Sequence, residues 1–467
     1  MRKYTAKGWA SVKVIWPGSA RTGRSKEAGT QRQALAGLRV IDLSQVFAGP
    51  YATKLLADMG AEIIRVECAA RSGRGGMLPR MKPGGVFGSS FPDGDTGERS
   101  YNRFAYYNEV NRNKYAITLD LAKPLGVAVF KRLVKISDVV VENFTPRVMG
   151  NFGLDYPILK GVNPQIIMIS MSGYGQDGPY RDYVTYGEGI EAMVGLSKLT
   201  AYPHGGPLKP GVAYADASSG LHAAFAILAA LRYRRLTGRG NHIDLSMREA
   251  VTPLLGEFIM DYAMNGRAAM PLGNRHPSLA PHGCYRAGGE DSWVVIAIAS
   301  DEEWRSFCHV MGDPPWTEDQ RFAHTLSRWQ NQEELDQLIE EWTSQYDHYE
   351  LMNRLQQAGV KAGAVLDVAE LMEDPHLGER GFFERLSHPD AGTHLYPGLS
   401  WRMAVTPGRL RLPAPCFGEH NEYVFGELLG MSQEELLTMA EEEVTASEPL
   451  PWEEDFSSLG QDSEMEA

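Results

Sequence analysis

One aspartate, Asp216, lies in the segment GVAYADASSG, where few other residues are charged. The stretch that follows, LHAAFAILAALRYRR, is apolar on nearly every face and predicts a buried helix over residues 218–235. A carboxylate at the start of such a helix can cap the helix, or it can attack a substrate as a nucleophile. Ser218 or Ser219 would serve equally well as a cap, and position alone favours capping for Asp216.

A second segment, GYGQDG at residues 173–178, matches the glycine pattern of dinucleotide-binding loops and follows a predicted strand. That motif works only when a helix opens within it, so that backbone amides face a pyrophosphate. Here Pro179 and the residues YRDY follow at once. We therefore predict a turn that shapes a pocket and not a nucleotide fingerprint.

Two further clusters allow more than one interpretation. The segment NRNK, residues 111–114, offers two amides and two cations, and both a solvated turn and an anion-binding loop fit it. His276 and His282 lie in the proline-broken stretch HPSLAPH without a nearby carboxylate or cysteine partner. That composition favours a structural loop over a metal site, and we expect no bound metal.

Composition limits the class of protein. The chain has 467 residues, of which 43% are hydrophobic and 22% charged, as in globular proteins of two or three domains. Its formal net charge of −13 argues against a general nucleic-acid binder. No run is long and apolar enough for a membrane span, and no signal-peptide core is present. The four cysteines are scattered, which predicts a reducing, cytoplasmic location.

The first half of the chain alternates strands and helices. LRVIDLS and AEIIRVE are predicted strands that flank the helical segment GPYATKLLADMG, with Gly60 at its carboxyl end. SDVVVENF and NPQIIMISMSG add two more strands, each preceded by a helical stretch. Such βαβ units predict an open α/β domain with a parallel sheet. Because ligands bind beyond the carboxyl ends of such strands, SQVFAGP, NFTPR and SGYGQDGPY are expected on one rim.

From about Asn274 the pattern changes to a smaller α+β module, with a hairpin near Gly288 and a capping box formed by Ser300 and Glu303. The predicted organisation has six parts. They are a flexible basic extension (1–35), the first part of a large Rossmann-like domain (36–245), a linker helix (246–273), a small α+β domain (274–385), a return to the large domain (386–440) and an acidic disordered tail (441–467).

Several stretches, taken together and in order, resemble the family III CoA-transferases, also called the CaiB/BaiF family. They are LAGLRVIDLSQVFAGPYATKLLADMGAEIIRVE, NRNKYAITLDL, DVVVENFTPRVMGNFGLDY, SGYGQDGPYRD, ADASSGLHAAFAILAAL, TGRGNHIDLSM, GNRHPS and GEHN, and they cover roughly residues 36–440. The resemblance implies a Rossmann-like large domain built from both ends of the chain, a smaller domain between them, and two interlocked subunits, here expected to be a homodimer.

The resemblance also implies that Asp216 is the nucleophile, which reverses the preference for capping. CoA would then move from an acyl-CoA donor to a carboxylic acid acceptor through an aspartyl anhydride and an aspartyl-CoA thioester. A CoA thioester is a substrate in this reaction, and no permanently bound cofactor is expected. We expect CoA to lie across the strand-end rim, close to one set of residues: Phe47, Ala48, Arg112, Lys114, Asn143, Phe144 and Tyr186.

Departures from one branch of the family narrow the range of expected substrates. Phe47 and Ala48 stand where formyl-CoA transferases have a Gln-Ser pair, and Cys68 stands where they have an arginine. Formate and oxalate are therefore disfavoured. The segments RGGM and YNRFAYYNEVNRNK are more similar to the succinyl-CoA-dependent transferases of aromatic-compound breakdown.

Two alternatives stay open. The α-methylacyl-CoA racemase branch of the family shares the aspartate but has a catalytic histidine where this chain has the segment around Tyr186. A phenol with a pKa near 10 is a poor base at pH 7, so transfer is favoured over racemisation. The other alternative is a non-catalytic CoA-binding subunit of a heteromeric enzyme, because some relatives work as pairs.

Overall fold

The structure is a computed structural model, and it describes residues 33–71 and 90–449. Most of the predicted basic extension (1–35) and most of the acidic tail (441–467) lie outside the described residues. The same is true of the RGGM segment.

Six parallel strands form the main sheet. They are β1 (Arg39–Asp42), β2 (Glu62–Glu67), β3 (Lys114–Thr118), β4 (Val139–Glu142), β5 (Ile167–Ser172) and β6 (Asn241–Ser246). Their spatial order is β3-β2-β1-β4-β5-β6, which is the Rossmann order. The four strands predicted from hydrophobic runs, β1, β2, β4 and β5, are confirmed. The segment NHIDLS, which forms β6, alternates polar and apolar residues and gives no such run.

Helices cover both faces of this sheet. They are α1 (Ala48–Asp58), α2 (Ser100–Arg103), α3 (Ala105–Asn111), α4 (Pro124–Lys135), α5 (Arg147–Asn151), α6 (Tyr156–Val162), α7 (Gly187–Met193), α8 (Leu196–Leu199), α9 (Tyr214–Thr237), α10 (Met247–Val251) and α11 (Gly256–Asn265). Shorter 3₁₀ turns span Ala69–Arg71, Pro92–Gly94 and Thr252–Leu255. One hydrophobic cluster, which includes Val40, Leu56 and Ile227, joins the sheet to α1 and α9.

Helix α9 differs from its prediction in two ways. It begins four residues earlier than expected, at Tyr214, and it is not buried on all sides. Phe225 is 74% exposed and Leu236 is 67% exposed. The sequence could not separate the face that packs on this chain from the opposite face, because both carry Ala, Leu and Phe.

A three-stranded antiparallel sheet forms a second unit with its own hydrophobic core. Its strands are β7 (His282–Arg286), β8 (Trp293–Ala297) and β9 (Lys361–Val365), and its helices are α12 (Asp301–Met311), α13 (Thr325–Gln330), α14 (Gln332–Thr343), α15 (His348–Gln357), α16 (Val368–Glu373) and α17 (Pro375–Glu379), with 3₁₀ turns at Pro315–Glu318 and Gln320–Phe322. The predicted hairpin is confirmed as the β7–β8 pair. The Ser300 cap is also confirmed, because its hydroxyl accepts the backbone N–H of Glu303.

A separate antiparallel hairpin pairs β10 (Phe383–His388) with β11 (Gly392–Pro397), so the domain boundary predicted at residue 385 falls inside a strand. The chain then continues to a π-helical segment, Glu422–Leu428, and to α18 (Gln433–Glu441). Val424, Phe425 and Met439 are buried in the hydrophobic cluster of the main sheet. The remaining domain boundaries stay predictions. Over the described ranges, no helix combines the length and the apolar character that a membrane crossing needs.

Candidate active site

Asp216 is the third residue of α9, so it lies inside the first helical turn and not before it. The residue at the N-cap position is Ala213, which supplies no side-chain cap. Ser219 lies further along the helix and donates its hydroxyl to the carbonyl of Ala215 at 2.7 Å. Capping by Asp216 at the N-cap position, favoured by its place in the sequence, is therefore wrong.

The Asp216 carboxylate occupies a tight pocket between three helices. It is only 8% exposed. It accepts the backbone N–H of Ala48 at the start of α1, and its own backbone N–H as well. On the side of α7, a Cβ placed on Gly187 would lie 1.9 Å from Oδ2 of Asp216, so only glycine leaves room for this carboxylate.

Burial raises the pKa of Asp216 to about 6, and the neighbouring charges of Glu188 and Glu191 add to the rise. The two backbone N–H groups act in the opposite direction and lower the pKa. The group is thus ionised at neutral pH but is more basic than a free aspartate. A carboxylate with a raised pKa is a better nucleophile, and perturbed groups of this kind cluster at functional sites.

Glycine 187 allows a direct test of this geometry. We expect Gly187→Ala to fold but to lose activity by about 100-fold, because the new methyl group must displace the carboxylate by an ångström or more. The matched control is Gly211→Ala, where a Cβ meets nothing within 4 Å. Turnover measurements on both variants check the expectation. Equal turnover in the two variants would contradict it.

Aromatic rings line the approach to Ala48 and Asp216. Phe47 stacks on Tyr51 with ring centroids 5.3 Å apart, and it packs against Tyr106 at 5.5 Å. Burial raises the pKa of Tyr106, and the Asp216 charge contributes to the rise. Gly220, one turn after Asp216, lets α9 approach α1 closely, because a Cβ there would lie 2.7 Å from the carbonyl oxygen of Ala48.

A cavity of about 290 Å³ opens at the carboxyl ends of β1, β2, β3 and β4. It is lined by residues that follow these strands: Leu43, Gln45, Cys68, Leu121, Ala122, Phe144, Val148 and Phe152 are among them. Its position beside β1 and β4 is the switch point of the sheet, where ligands of Rossmann-like folds bind. Phe144 was predicted at this rim and does line the cavity.

Asn143 connects this cavity to the loop before α1. Its Oδ1 accepts the backbone N–H of Gln45 at 2.7 Å, and its Nδ2 donates to the Gln45 carbonyl at 2.8 Å. The neighbouring Phe144 N–H donates to the Glu142 carboxylate at 2.8 Å. Burial raises the pKa of Glu142 to about 7. The β1–α1 loop is therefore fixed at Gln45, on the cavity side, and again at Ala48, on the Asp216 side.

The NRNK segment is neither a solvated turn nor a loop that presents cations to a ligand in this structure. Arg112 is 1% exposed, and its guanidinium donates to the Asp58 carboxylate at 2.8 Å. The Lys114 ammonium is equally buried and donates to Asp42 at 3.0 Å. The solvated-turn interpretation is corrected by this burial. Direct contact of either cation with a CoA phosphate gains no support from the geometry, because internal carboxylates engage both groups.

The other predicted residues are dispersed around the site. Tyr186 occupies the N-cap position of α7 next to Gly187, but its side chain is 65% exposed. Gly175 and Gly178 of the GYGQDG segment adopt positive φ angles in a turn, and the next helix after this segment begins only at Gly187. The predicted turn is thus confirmed, while its role in shaping a pocket stays a prediction. Across residues 33–71 and 90–449, no three His, Cys, Asp or Glu side chains converge as a metal site would require.

Sequence reasoning missed Gly187, Glu191 and Tyr106, all of which surround Asp216. Gly187 gave a weak signal, since a glycine at a helix start often marks close approach of another group. Glu191 and Tyr106 gave none, because their relation to Asp216 depends on how helices far apart in sequence pack together.

Comparison with known proteins shows the family of this chain. The model of "CoA-transferase family III" matches residues 35–421. Succinate–glutarate CoA-transferase of Agrobacterium fabrum is 35% identical over 400 residues, which is 85% of this chain and 96% of that protein. The beta subunit of succinyl-CoA–L-malate CoA-transferase of Chloroflexus aurantiacus is 32% identical, over 86% of this chain and 96% of its own length.

Among solved structures, a CaiB/BaiF family protein from Brucella suis superposes with a TM-score of 0.76 at 32% identity, and covers 85% of this chain and all of its own. The chain therefore belongs to CoA-transferase family III. It is an enzyme of the transferase class, and its substrates include a CoA thioester.

Proposed function

We propose that this enzyme transfers CoA from a dicarboxylic acyl-CoA, with succinyl-CoA as the leading donor, to a second carboxylic acid, and that Asp216 is its nucleophile. The single observation that carries the proposal is the buried Asp216 carboxylate, held at the start of α9 by the Ala48 N–H with a pKa of about 6. An ionised carboxylate of this kind attacks a thioester without help from a separate base.

The reaction proceeds in four displacements at a carbonyl carbon. A carboxylate oxygen of Asp216 attacks the acyl-CoA carbonyl and expels the CoA thiolate, which leaves a mixed anhydride. The thiolate then attacks the aspartyl carbonyl, releases the donor acid and forms an aspartyl-CoA thioester. The acceptor carboxylate expels the thiolate from this thioester to give a second anhydride. The thiolate finally attacks the acceptor's carbonyl and frees Asp216.

The Ala48 N–H suits both anhydride and thioester chemistry. Negative charge develops on the aspartyl oxygen whenever a nucleophile adds to the aspartyl carbonyl, and a fixed backbone donor stabilises that charge. Both covalent intermediates hydrolyse readily, so water has to be kept away from the aspartyl carbonyl. The Phe47, Tyr51 and Tyr106 rings surround the site with apolar surface.

CoA is proposed to reach Asp216 from the strand-end cavity. The nucleotide part would occupy the cavity beside Phe144, and the pantetheine arm would cross the β1–α1 loop at Gln45 and Phe47. Two contacts of the β1–α1 loop support this path. Asn143 holds the loop at Gln45 beside the cavity, and the Ala48 N–H at the end of the loop contacts the Asp216 carboxylate. In this arrangement Arg112 and Lys114 hold the core beneath the loop and do not bind phosphate directly.

A bulky side chain at the cavity tests the path. Ala122 lines the cavity and is exposed, so Ala122→Trp is expected to fold normally and to obstruct CoA. The KM for acyl-CoA should rise at least about tenfold, while turnover at saturation stays within about threefold. Ala369→Trp, at an exposed helix position remote from this cavity, is the control. An unchanged KM in Ala122→Trp would remove CoA from the cavity.

The acids are proposed from the relatives. Their names contain succinate, glutarate, succinyl-CoA and malate, all of which are dicarboxylic acids or their thioesters. The test is to incubate the purified chain with succinyl-CoA and a panel of labelled monocarboxylic and dicarboxylic acids, and to measure the labelled acyl-CoA products. Dicarboxylic acceptors should react fastest. Preference for monocarboxylic acids by tenfold or more would contradict the assignment.

The same panel separates the two alternatives. A racemase would incorporate solvent deuterium at the α-carbon of an acyl-CoA and exchange no CoA with a second acid. A non-catalytic subunit would be inactive alone and become active only with a second polypeptide, as the naming of relatives as alpha and beta subunits suggests. Transfer by the chain alone would contradict both.

We also propose that the enzyme is a homodimer with interlocked subunits. The support is a set of exposed apolar side chains, Phe225 and Leu236 on α9 and Met260 and Tyr262 on α11, which a second subunit would cover. A sedimentation mass twice the chain's 51.7 kDa is expected. The cytoplasm is the proposed compartment, in keeping with four cysteines that are scattered along the sequence without a paired spacing.

A further inference from the structure

Glu191 is a second buried carboxylate beside the nucleophile. It lies on α7 and is fully buried, at 0% exposed. Its Oε1 accepts the backbone N–H of Ala215 at 3.1 Å, and its Oε2 has no hydrogen-bond partner in the described part of the chain. Leaving a carboxylate oxygen buried and unpaired destabilises the fold, so this arrangement calls for a reason.

The contact with Ala215 compensates for a missing cap. The first N–H groups of a helix have no partner within the helix, and Ala213 at the N-cap of α9 cannot supply one. Glu191 reaches across from another helix and takes the N–H of the residue directly before Asp216. The first turn of α9 is therefore anchored to α7.

A second contact lies on the same face of α7. Gly187 is four residues before Glu191, so the two are neighbours on the helix surface. Gly187 borders Oδ2 of Asp216, while Glu191 holds the backbone of Ala215. Helix α7 thus shapes one side of the carboxylate pocket and fixes the backbone that carries the carboxylate.

We propose that Glu191 is a positioning residue for the transfer reaction, which keeps the Asp216 carboxylate in line with the Ala48 N–H by anchoring the first turn of α9. The proposal rests on the function proposed above. The attack on the thioester tolerates only positional errors well below an ångström. Loosening the first turn of α9 should therefore slow the chemistry. CoA binding in the strand-end cavity should be unaffected.

Two conservative variants separate the length of the side chain from its charge. Glu191→Gln keeps the reach and an acceptor oxygen for the Ala215 N–H but removes the charge. Glu191→Asp keeps the charge but is shorter by one methylene and loses the contact. We expect turnover to fall about tenfold or more in Glu191→Asp, with the KM for acyl-CoA within twofold, and to stay within about threefold of the parent in Glu191→Gln.

The control for a lost cap is Ser300→Ala at the start of α12. Ser300→Ala should reduce the melting temperature without changing turnover. If the role of Glu191 were purely structural, the Glu191 variants would show this same pattern. Parent-like turnover in Glu191→Asp, or equal impairment of both Glu191 variants, would overturn the proposal. Activity in Asp216→Asn would instead overturn the proposed function, so the two failures are distinguishable.

Discussion

Asp216→Asn is expected to abolish CoA transfer and, at pH 8, to raise the free energy of unfolding. The amide has nearly the same shape and its oxygen can still accept the Ala48 N–H, but it cannot attack a thioester. Loss of a covalent nucleophile should reduce turnover at least about a thousandfold. Turnover with succinyl-CoA, measured beside chemical denaturation of both proteins, tests the two halves of the expectation.

The stability gain follows from the pKa of Asp216. Its value in the folded protein, about 6, is above the ordinary value of 3.8. The folded state therefore binds this proton more tightly, and the stability it contributes is present below pH 4 and is lost as the pH rises through about 6. Above that pH, the neutral amide should stabilise the fold by about 1–3 kcal/mol relative to the ionised carboxylate.

The pH dependence supplies the control. The advantage of Asp216→Asn should shrink at pH 4, where Asp216 of the folded parent is largely protonated and therefore as uncharged as the amide. An N-terminal cap behaves in the opposite way, since its replacement costs about 0.5–2 kcal/mol and leaves the chemistry intact. A less stable but active variant would therefore contradict the role of Asp216 as nucleophile.

Arg112→Met is expected to reduce stability by about 3–5 kcal/mol and to leave the KM for acyl-CoA unchanged in the protein that remains folded. The substitution leaves the Asp58 carboxylate, which is fully buried, without its strongest partner. Asn113 also donates to Asp58 at 2.6 Å, but a neutral amide cannot replace the guanidinium charge. Denaturation curves and initial rates on the same preparations check both expectations.

Arg132→Met is the matched control, because Arg132 pairs with Glu435 at 2.8 Å with both side chains more than a third exposed. A surface ion pair contributes at most about 1 kcal/mol. If Arg112→Met were as stable as this control but bound acyl-CoA more weakly, Arg112 would be a phosphate ligand after all.

The contrast between the sheet and the NRNK segment shows what sequence can predict. Strands β1, β2, β4 and β5 are continuous apolar runs, and a run buried on both faces is legible from local composition. Arg112 and Lys114 looked like surface cations because lysine and arginine are rarely buried. Their partners, Asp58 and Asp42, are 54 and 72 residues away in sequence, so nothing local could reveal the ion pairs.

The candidate site likewise contains residues that the sequence could indicate and residues that only the folded structure reveals. Asp216 was identified through a resemblance spread over several segments, and Phe144 through the strand-end rule. The reason that Asp216 suits the chemistry lies in its surroundings: Gly187 and Glu191 from α7, and Ala48 from α1. These contacts arise only when three helices meet, and the early start of α9 at Tyr214 decides which of its residues face them.

Trapping the covalent intermediate tests the central claim most directly. Hydroxylamine attacks both an anhydride and a thioester of an aspartate and converts the side chain to a hydroxamate. Parent enzyme incubated with acyl-CoA and hydroxylamine should carry the hydroxamate at Asp216, as read by the mass of the peptide that contains it. Parent enzyme without acyl-CoA, and Asp216→Asn with it, should carry none. A hydroxamate at another residue would contradict the account. So would an unmodified Asp216 under conditions where CoA transfer proceeds and hydroxylamine inactivates the enzyme.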